Sequence, residues 1–168
     1  MWDLNEPILD VGTGRGGLST ALALKRVKIF GTDIDFRIMK DLNNELSDMD
    51  ISDSMQLFVA DAECLPFADG SFAGVVCFNL LHHLQTYEPS ITEMVRVLAN
   101  GGKLLIADFT YDGFRKLEDH LLNAKGKVHK ESGCKVDKAV SLLQTKGMIL
   151  VDDVEIADEQ IVILKKVL

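Results

Sequence analysis

The sequence predicts an α/β fold with a seven-stranded, mostly parallel sheet that ends in an antiparallel hairpin. Three observations support this: a strand, glycine-rich turn and helix at residues 8–24, strict alternation of strand and helix patterns up to residue 60, and two β-rich runs after residue 147. Such alternation implies right-handed crossovers and a ligand site at the carboxyl ends of the parallel strands. The 168 residues, 47% of them hydrophobic, suffice for one domain over 1–168 with a full core.

The first unit carries a nucleotide-binding pattern. Residues 8–17 read ILDVGTGRGG, which predicts a buried strand and then a turn that a ligand can approach closely. Apolar residues at helical spacing follow over 18–24. The glycines satisfy GxGxxG, and Asp33 stands at about the distance, 20 residues, expected of a ribose-binding acid.

The next elements end in carboxylates. Apolar and β-branched residues predict a second strand over 27–32 that runs up to Asp33. Asp35 can cap the helix that follows. A third strand is predicted over 55–60, and Asp61 stands at its carboxyl end.

The middle of the chain continues the alternation. A short apolar strand over 75–78 ends at Asn79. A helix is predicted over 89–98, with Pro89 in its first turn and Asn100-Gly101-Gly102 as its terminator. Residues 103–109 then form the fifth predicted strand.

Two helices and a hairpin complete the prediction. The first helix ends near Gly126, and the second covers 137–146 and is stopped by Gly147. The β-rich runs 148–156 and 160–167 are separated by three residues, which favours an antiparallel hairpin at the end of the sheet.

Charge and cysteine content argue against several classes of protein. A net charge of −8 disfavours broad nucleic-acid affinity, since phosphate binding needs clustered Lys and Arg. Three scattered cysteines without a CxxC pair argue against a disulfide framework and a metal site. No apolar run approaches the roughly 18 residues of a membrane span, and residues 1–7 lack a signal-peptide pattern. We therefore expect a cytoplasmic protein that does not bind membranes.

The charge of Asp10 indicates which nucleotide cofactor the glycine turn binds. A dehydrogenase turn places a pyrophosphate at the helix N-terminus, and a carboxylate two residues before the first glycine would repel it. S-adenosylmethionine has no phosphate and carries a sulfonium and an ammonium. The charge at Asp10 therefore favours S-adenosylmethionine over NAD.

Five stretches in order resemble one enzyme family. They are DVGTGRGG at 10–17, GTDID at 31–35, VADAECLPFADGSF at 59–72, NLLHHL at 79–84 and RVLANGGKLLIADF at 96–109. Together they resemble the class I S-adenosylmethionine-dependent methyltransferases, particularly the small-molecule, ubiquinone-biosynthesis type. The resemblance implies a Rossmann-like three-layer sandwich, and it is weaker in the terminal hairpin.

The resemblance implies a cofactor-binding role for each matching position. Asp10 and the turn Gly12, Thr13 and Gly14 would hold the methionine end, largely through backbone groups. Asn79 would face the methionine portion or the methyl group.

The nucleoside contacts are implied in the same way. Asp33 would accept hydrogen bonds from both ribose hydroxyls, because a carboxylate has lone pairs for two donors. Ile34 would pack on the adenine face. Asp61 would accept from the adenine amino group, and the Ala62 backbone N–H would meet a ring nitrogen.

A catalytic base is needed only if the acceptor must lose a proton. His82 and His83 are the candidates, although the LHH sequence also occurs in the family as the structural start of the next segment. Asp108, Tyr111 and His129 fall on the expected acceptor side, and a surface role is expected for each.

The chain departs from the family pattern at two places. Phe72-Ala73 replaces the usual Phe-Asp, and only seven residues precede the first strand, where relatives carry helices that cover the acceptor pocket. We therefore expect an open cleft that a large acceptor or a second subunit, as in a homodimer, closes, or a chain without efficient catalysis. Trp2 could fold back over the cleft, and the basic segment 111–146 could supply the acceptor wall.

The sequence thus predicts an S-adenosylmethionine-dependent methyltransferase acting on a small molecule or a partner protein. One alternative is a cofactor-binding subunit or regulator that needs a partner for catalysis. An NAD-dependent oxidoreductase is the other, but it leaves the later motifs unexplained.

Overall fold

The computed structural model describes residues 7–47, 49, 51, 53–125 and 136–167, with backbone only for 121–125. Over those ranges the chain forms a seven-stranded sheet with helices packed against it. The strands are Ile8–Val11 (β1), Ile29–Asp33 (β2), Met55–Val59 (β3), Phe72–Phe78 (β4), Leu98–Phe109 (β5), Met148–Ile156 (β6) and Glu159–Lys166 (β7). The helices are Gly17–Ala23 (α1), Phe36–Ser47 (α2), Glu88–Val97 (α3), Tyr111–Lys125 (α4) and Val136–Thr145 (α5).

The strand order is β3-β2-β1-β4-β5-β7-β6. The pairs from β3 to β5 are parallel, whereas β7 runs antiparallel to both β5 and β6. This confirms the predicted fold class and the terminal hairpin. The last strand of the chain is nevertheless internal to the sheet, because β7 inserts between β5 and β6.

Alternate residues of β1 serve two cores on opposite faces of the sheet. Leu9 and Val11 belong to the larger core, to which α3 and α5 contribute Ile91 and Ala139. Ile8 points to the other face and packs near Leu18 of α1. The period of two in a strand therefore produces the predicted three layers.

The predicted boundary between the third helix and the fifth strand is wrong. α3 ends at Val97, and β5 begins at once with the extended, fully buried Leu98. The pairing of β4 with β5 shifts register between Phe72 and Gly74, and Gly101 has φ of 76°. These glycines therefore make an irregularity inside a strand rather than a helix cap.

Most other predicted boundaries lie close to the observed ones. Asp35 caps α2 as expected, since its Oδ1 accepts a hydrogen bond from the Arg37 N–H at 2.8 Å. Gly147, at φ of 81°, follows α5. The end predicted near Gly126 lies outside the described residues. The positions of Trp2, His129 and Cys134 do so too.

The loop after β3 is held by Arg96 of α3. Its guanidinium donates to the Leu65 and Phe67 carbonyls at 3.0 and 2.7 Å and pairs with Glu93 and Asp69. The hydrogen bond from Arg96 lowers the pKa of the Glu93 carboxyl. These contacts hold in place the loop that follows Asp61.

In the part of the chain that the structure describes, no helix is long and apolar enough to cross a membrane.

Candidate functional site

A cleft opens at the carboxyl ends of β1, β2 and β3. Its cavity volume is about 110 Å³. Its walls contain predicted site residues from the ends of β1 and β2 and from the loop after β3. The lining residues are Val11, Gly12, Thr32, Asp33, Ile34, Ala60, Asp61, Ala62, Leu80 and Leu84.

Asp33 connects the end of β2 with the glycine turn. Its Oδ2 accepts a hydrogen bond from the Gly14 N–H, and its Oδ1 accepts one from the Asp35 N–H, both at 2.9 Å. Each carboxylate oxygen has a second lone pair, so the group can also accept hydrogen bonds from two adjacent hydroxyls. A ribose diol in the cleft would supply such a pair of donors.

The floor beside Asp33 suits a flat, partly apolar ring. Ile34 is 68% exposed, and Leu80 and Leu84 also line the cleft. Asp61 is exposed at the end of β3, with Oδ1 accepting from the Glu63 N–H at 2.9 Å. A ring carrying an amino group can therefore find an apolar surface and a hydrogen-bond acceptor in one place.

Gly12 brings the backbone close to the cleft. Its φ is +77°, and a Cβ built on it would lie 2.8 Å from Leu80 Cδ1. Only glycine meets both conditions without strain.

The glycine turn uses its own N–H groups within the protein. The Gly12 and Thr13 N–H groups both donate to the Thr32 carbonyl at 2.8 Å, and the Gly14 N–H donates to Asp33. The backbone groups of these residues that remain for polar contact with a ligand are therefore carbonyl oxygens. Carbonyl oxygens accept hydrogen bonds, so they suit an ammonium rather than a phosphate.

Asp10 lies beneath the turn rather than on the cleft wall. It is 4% exposed, and its Oδ2 accepts a hydrogen bond from the Ser19 hydroxyl at 2.5 Å. Burial raises the pKa of Asp10 from its ordinary value of 3.8 to about 6, although the Ser19 and Thr13 hydroxyls lower it. The nearby charge of Asp33 raises it further. Direct contact of Asp10 with a ligand stays a prediction.

Asn79 directly follows β4 and has a left-handed conformation, with φ of 53°. Its backbone N–H donates to the Ala107 carbonyl at 2.8 Å, and its Nδ2 donates to Glu159 Oε1 at 3.1 Å. Its Oδ1 is buried and has no hydrogen-bond partner among the described residues. Sequence reasoning missed Glu159, because 80 residues separate it from Asn79 and no local pattern marks it.

His82 and Asp108 form a buried pair. His82 Nδ1 lies 2.7 Å from Asp108 Oδ1, and the His82 backbone N–H donates to Asp108 Oδ2 at 3.1 Å. The surface role expected for Asp108 is wrong, since the residue is 2% exposed. His83 is exposed, and its ring centroid lies 4.0 Å from that of His82. Tyr111, which begins α4, is 58% exposed, in line with its expected surface position.

Comparisons with known proteins agree with this geometry. A family model described as a methyltransferase domain matches residues 9–106. Ajmaline N-methyltransferase of Rauvolfia serpentina is 29% identical over 159 residues, covering 90% of this chain and 54% of the relative. A ubiquinone/menaquinone biosynthesis C-methyltransferase of Rickettsia typhi is 32% identical over 116 residues, covering 64% of this chain and 46% of the relative.

Solved structures show the same fold. A SAM-dependent methyltransferase from Methanosarcina mazei superposes with a TM-score of 0.78 at 20% identity, covering 99% of this chain and 95% of that one. The chain spans about half the length of the two curated relatives.

Proposed function

The chain belongs to the methyltransferase domain family, and we propose that it transfers a methyl group from S-adenosylmethionine to a small-molecule acceptor. One observation favours S-adenosylmethionine over NAD as the cofactor. The N–H groups of Gly12, Thr13 and Gly14 donate to protein acceptors, so these three residues offer no donors to a pyrophosphate. The carboxylates of Asp33 and Asp61 complete a site for an uncharged nucleoside and a cationic tail.

The described residues fit S-adenosylmethionine at both ends. Asp33 would hold the ribose, while Ile34, Asp61 and Ala62 would hold the adenine ring. Toward the methionine end, Asn79 Oδ1 is a buried acceptor that no described residue satisfies, and it could accept from the cofactor. When bound, S-adenosylmethionine supplies an electrophilic methyl group on a positively charged sulfur.

The protein would contribute chiefly by alignment. Holding two reactants in the right geometry can supply about 7 to 11 kcal/mol in favourable cases. Gly12 permits close approach of the cofactor, while the pair of Asp33 with the Gly14 N–H keeps the turn in place. His82 would serve as an anchor, because its ring and backbone both hold Asp108 at the end of β5.

Binding and turnover together test the proposal. Calorimetry should show binding of S-adenosylhomocysteine and none of NAD, whereas binding of NAD alone would support an oxidoreductase. The purified chain should convert S-adenosylmethionine to S-adenosylhomocysteine when a protein-free cell extract supplies the acceptor. Conversion that requires an added protein fraction would instead support a subunit that depends on a partner.

A further inference from the structure

The start of β7 places the carboxylate of Glu159 next to Asn79. Glu159 is the first residue of β7, and it pairs across the sheet with Phe109 at the end of β5. Because β7 is antiparallel, its start lies at the same edge as the carboxyl ends of β4 and β5. From there the Glu159 side chain contacts Asn79, the residue after β4, with 3.1 Å between Oε1 and Nδ2.

Contacts with the start of α4 fix the turn between β6 and β7. The Thr110 N–H donates to the Asp158 carbonyl at 2.8 Å, and Lys116 Nζ lies 2.6 Å from Asp158 Oδ1. Gly113 packs so closely against this turn that a Cβ on it would overlap the Asp158 carbonyl oxygen. The backbone next to Glu159 is therefore held in place.

Two neighbouring acids are paired with basic side chains, whereas Glu159 has no such pairing within the part of the chain that the structure describes. Lys116 neutralises Asp158, and His82 pairs with Asp108. In the described ranges, no cation pairs with Glu159, whose side chain accepts only from the neutral Asn79 amide. On the same amide, Oδ1 is buried and receives no hydrogen bond from any residue in the described ranges. A carboxylate and an unpartnered amide oxygen on neighbouring side chains, with no cation beside them among the described residues, favour a cation near this pair.

The strand order puts that point beyond the cofactor cleft. The nucleoside residues lie at the ends of β2 and β3, while Gly12 and Leu80 continue the cleft over β1 and β4. Glu159 approaches Asn79 from the β7 side, opposite the nucleoside. It therefore lies where the methionine end of the cofactor and the acceptor would meet.

We propose that Glu159 and Asn79 form a cation-receiving site at the methyl-transfer position, and that this site fits a neutral amine as the acceptor. The inference rests on the proposed function. In such a reaction the nitrogen lone pair forms the N–C bond, and the electron pair of the C–S bond passes to sulfur. The positive charge moves from sulfur to nitrogen, and a proton on that nitrogen then leaves to water. A carboxylate beside this path favours the cationic product and repels an anionic acceptor such as a phenolate.

Sinefungin is a suitable probe, because an ammonium on carbon replaces the methylated sulfonium and places a cationic nitrogen at the transfer position. Calorimetry would compare it with the neutral-sulfur S-adenosylhomocysteine. Wild type should bind sinefungin at least about tenfold more tightly, and E159Q should reduce that ratio to within about threefold. Gln keeps an oxygen that can accept from Asn79 and removes the charge, while its NH2 group replaces the second carboxylate oxygen.

Glu155→Gln is the matched control, since Glu155 is an exposed acid on the same hairpin. It should leave the ratio unchanged. Equal binding of the two ligands by wild type, or an unchanged ratio in E159Q, would overturn the proposal. E159D provides a second variant and should give an intermediate ratio. Failure of wild type to bind either ligand would instead refute the proposed function itself.

Discussion

His82 Nδ1 lies 2.7 Å from Asp108 Oδ1, and the two residues are 8% and 2% exposed. The pair joins the 3-10 turn Leu81–His83 to the end of β5. The Phe109 N–H also donates to Asp108 Oδ1, at 2.8 Å. The carboxylate therefore ties together two segments that border the proposed acceptor side.

Breaking this pair should destabilise the fold. H82A leaves a buried carboxylate without its main partner, and we expect the free energy of unfolding to fall by about 2 to 4 kcal/mol. Urea denaturation measures the change. The exposed pair of Lys116 with Asp158 serves as the control, because K116A should cost at most about 1 kcal/mol. Equal losses in H82A and K116A would contradict the anchoring role.

Gly12→Ala should impair cofactor binding more than stability. The added Cβ would push Leu80 into the cleft that Leu80 lines, so we expect affinity for S-adenosylhomocysteine to fall roughly tenfold or more. Gly147→Ala is the matched control, since Gly147 has φ of +81° and no atom within 4 Å of an added Cβ. Both variants should lose about 1 to 2 kcal/mol of stability from backbone strain. Only G12A should lose affinity, and adding L80A should restore part of it.

Asp33→Ala should weaken binding of S-adenosylhomocysteine by about 1 to 3 kcal/mol, because the ribose hydroxyls would lose their acceptor. Calorimetry gives the change directly. Asp41→Ala removes an exposed acid from α2 and should leave affinity unchanged. Unchanged affinity in D33A would remove Asp33 from the site.

Asp10→Asn should stabilise the protein at neutral pH. The pKa of Asp10 is raised to about 6, so between about pH 4 and 6 the folded state holds a proton that the unfolded state has released. The free energy of unfolding of wild type therefore falls as pH rises through this window. D10N lacks the charge and should exceed wild type by about 1 to 3 kcal/mol at pH 7, with little difference at pH 4.

Denaturation of both proteins at the two pH values tests this, and an equal gain at both would contradict the charge argument. Asn keeps an acceptor for the Ser19 hydroxyl, and its NH2 group is the same at both pH values, so the difference between them reports the charge of Asp10.

Local patterns are enough to predict most elements and the positions of Asp33 and Asp61 in the proposed nucleoside site. Asp33 and Asp61 follow recognisable strands, and parallel strands bring their carboxyl ends to one edge. The sequence pattern places the start of β5 too late, because glycines after a helix are typical of a C-terminal cap. Here Leu98 is buried and pairs with Phe72, so sheet pairing overrides the local preference.

The sequence by itself determined the order of strands and helices, the glycine turn and the acids at the ends of β2 and β3, because side-chain periodicity and turn chemistry are local properties. The tertiary structure decided that Asp108 is buried against His82, that the N–H groups of the turn are used within the protein, and that Glu159 reaches Asn79. These contacts depend on the insertion of β7 between β5 and β6, which brings together residues 80 positions apart. Such a placement follows from the packing of the whole sheet, which no short stretch of sequence encodes.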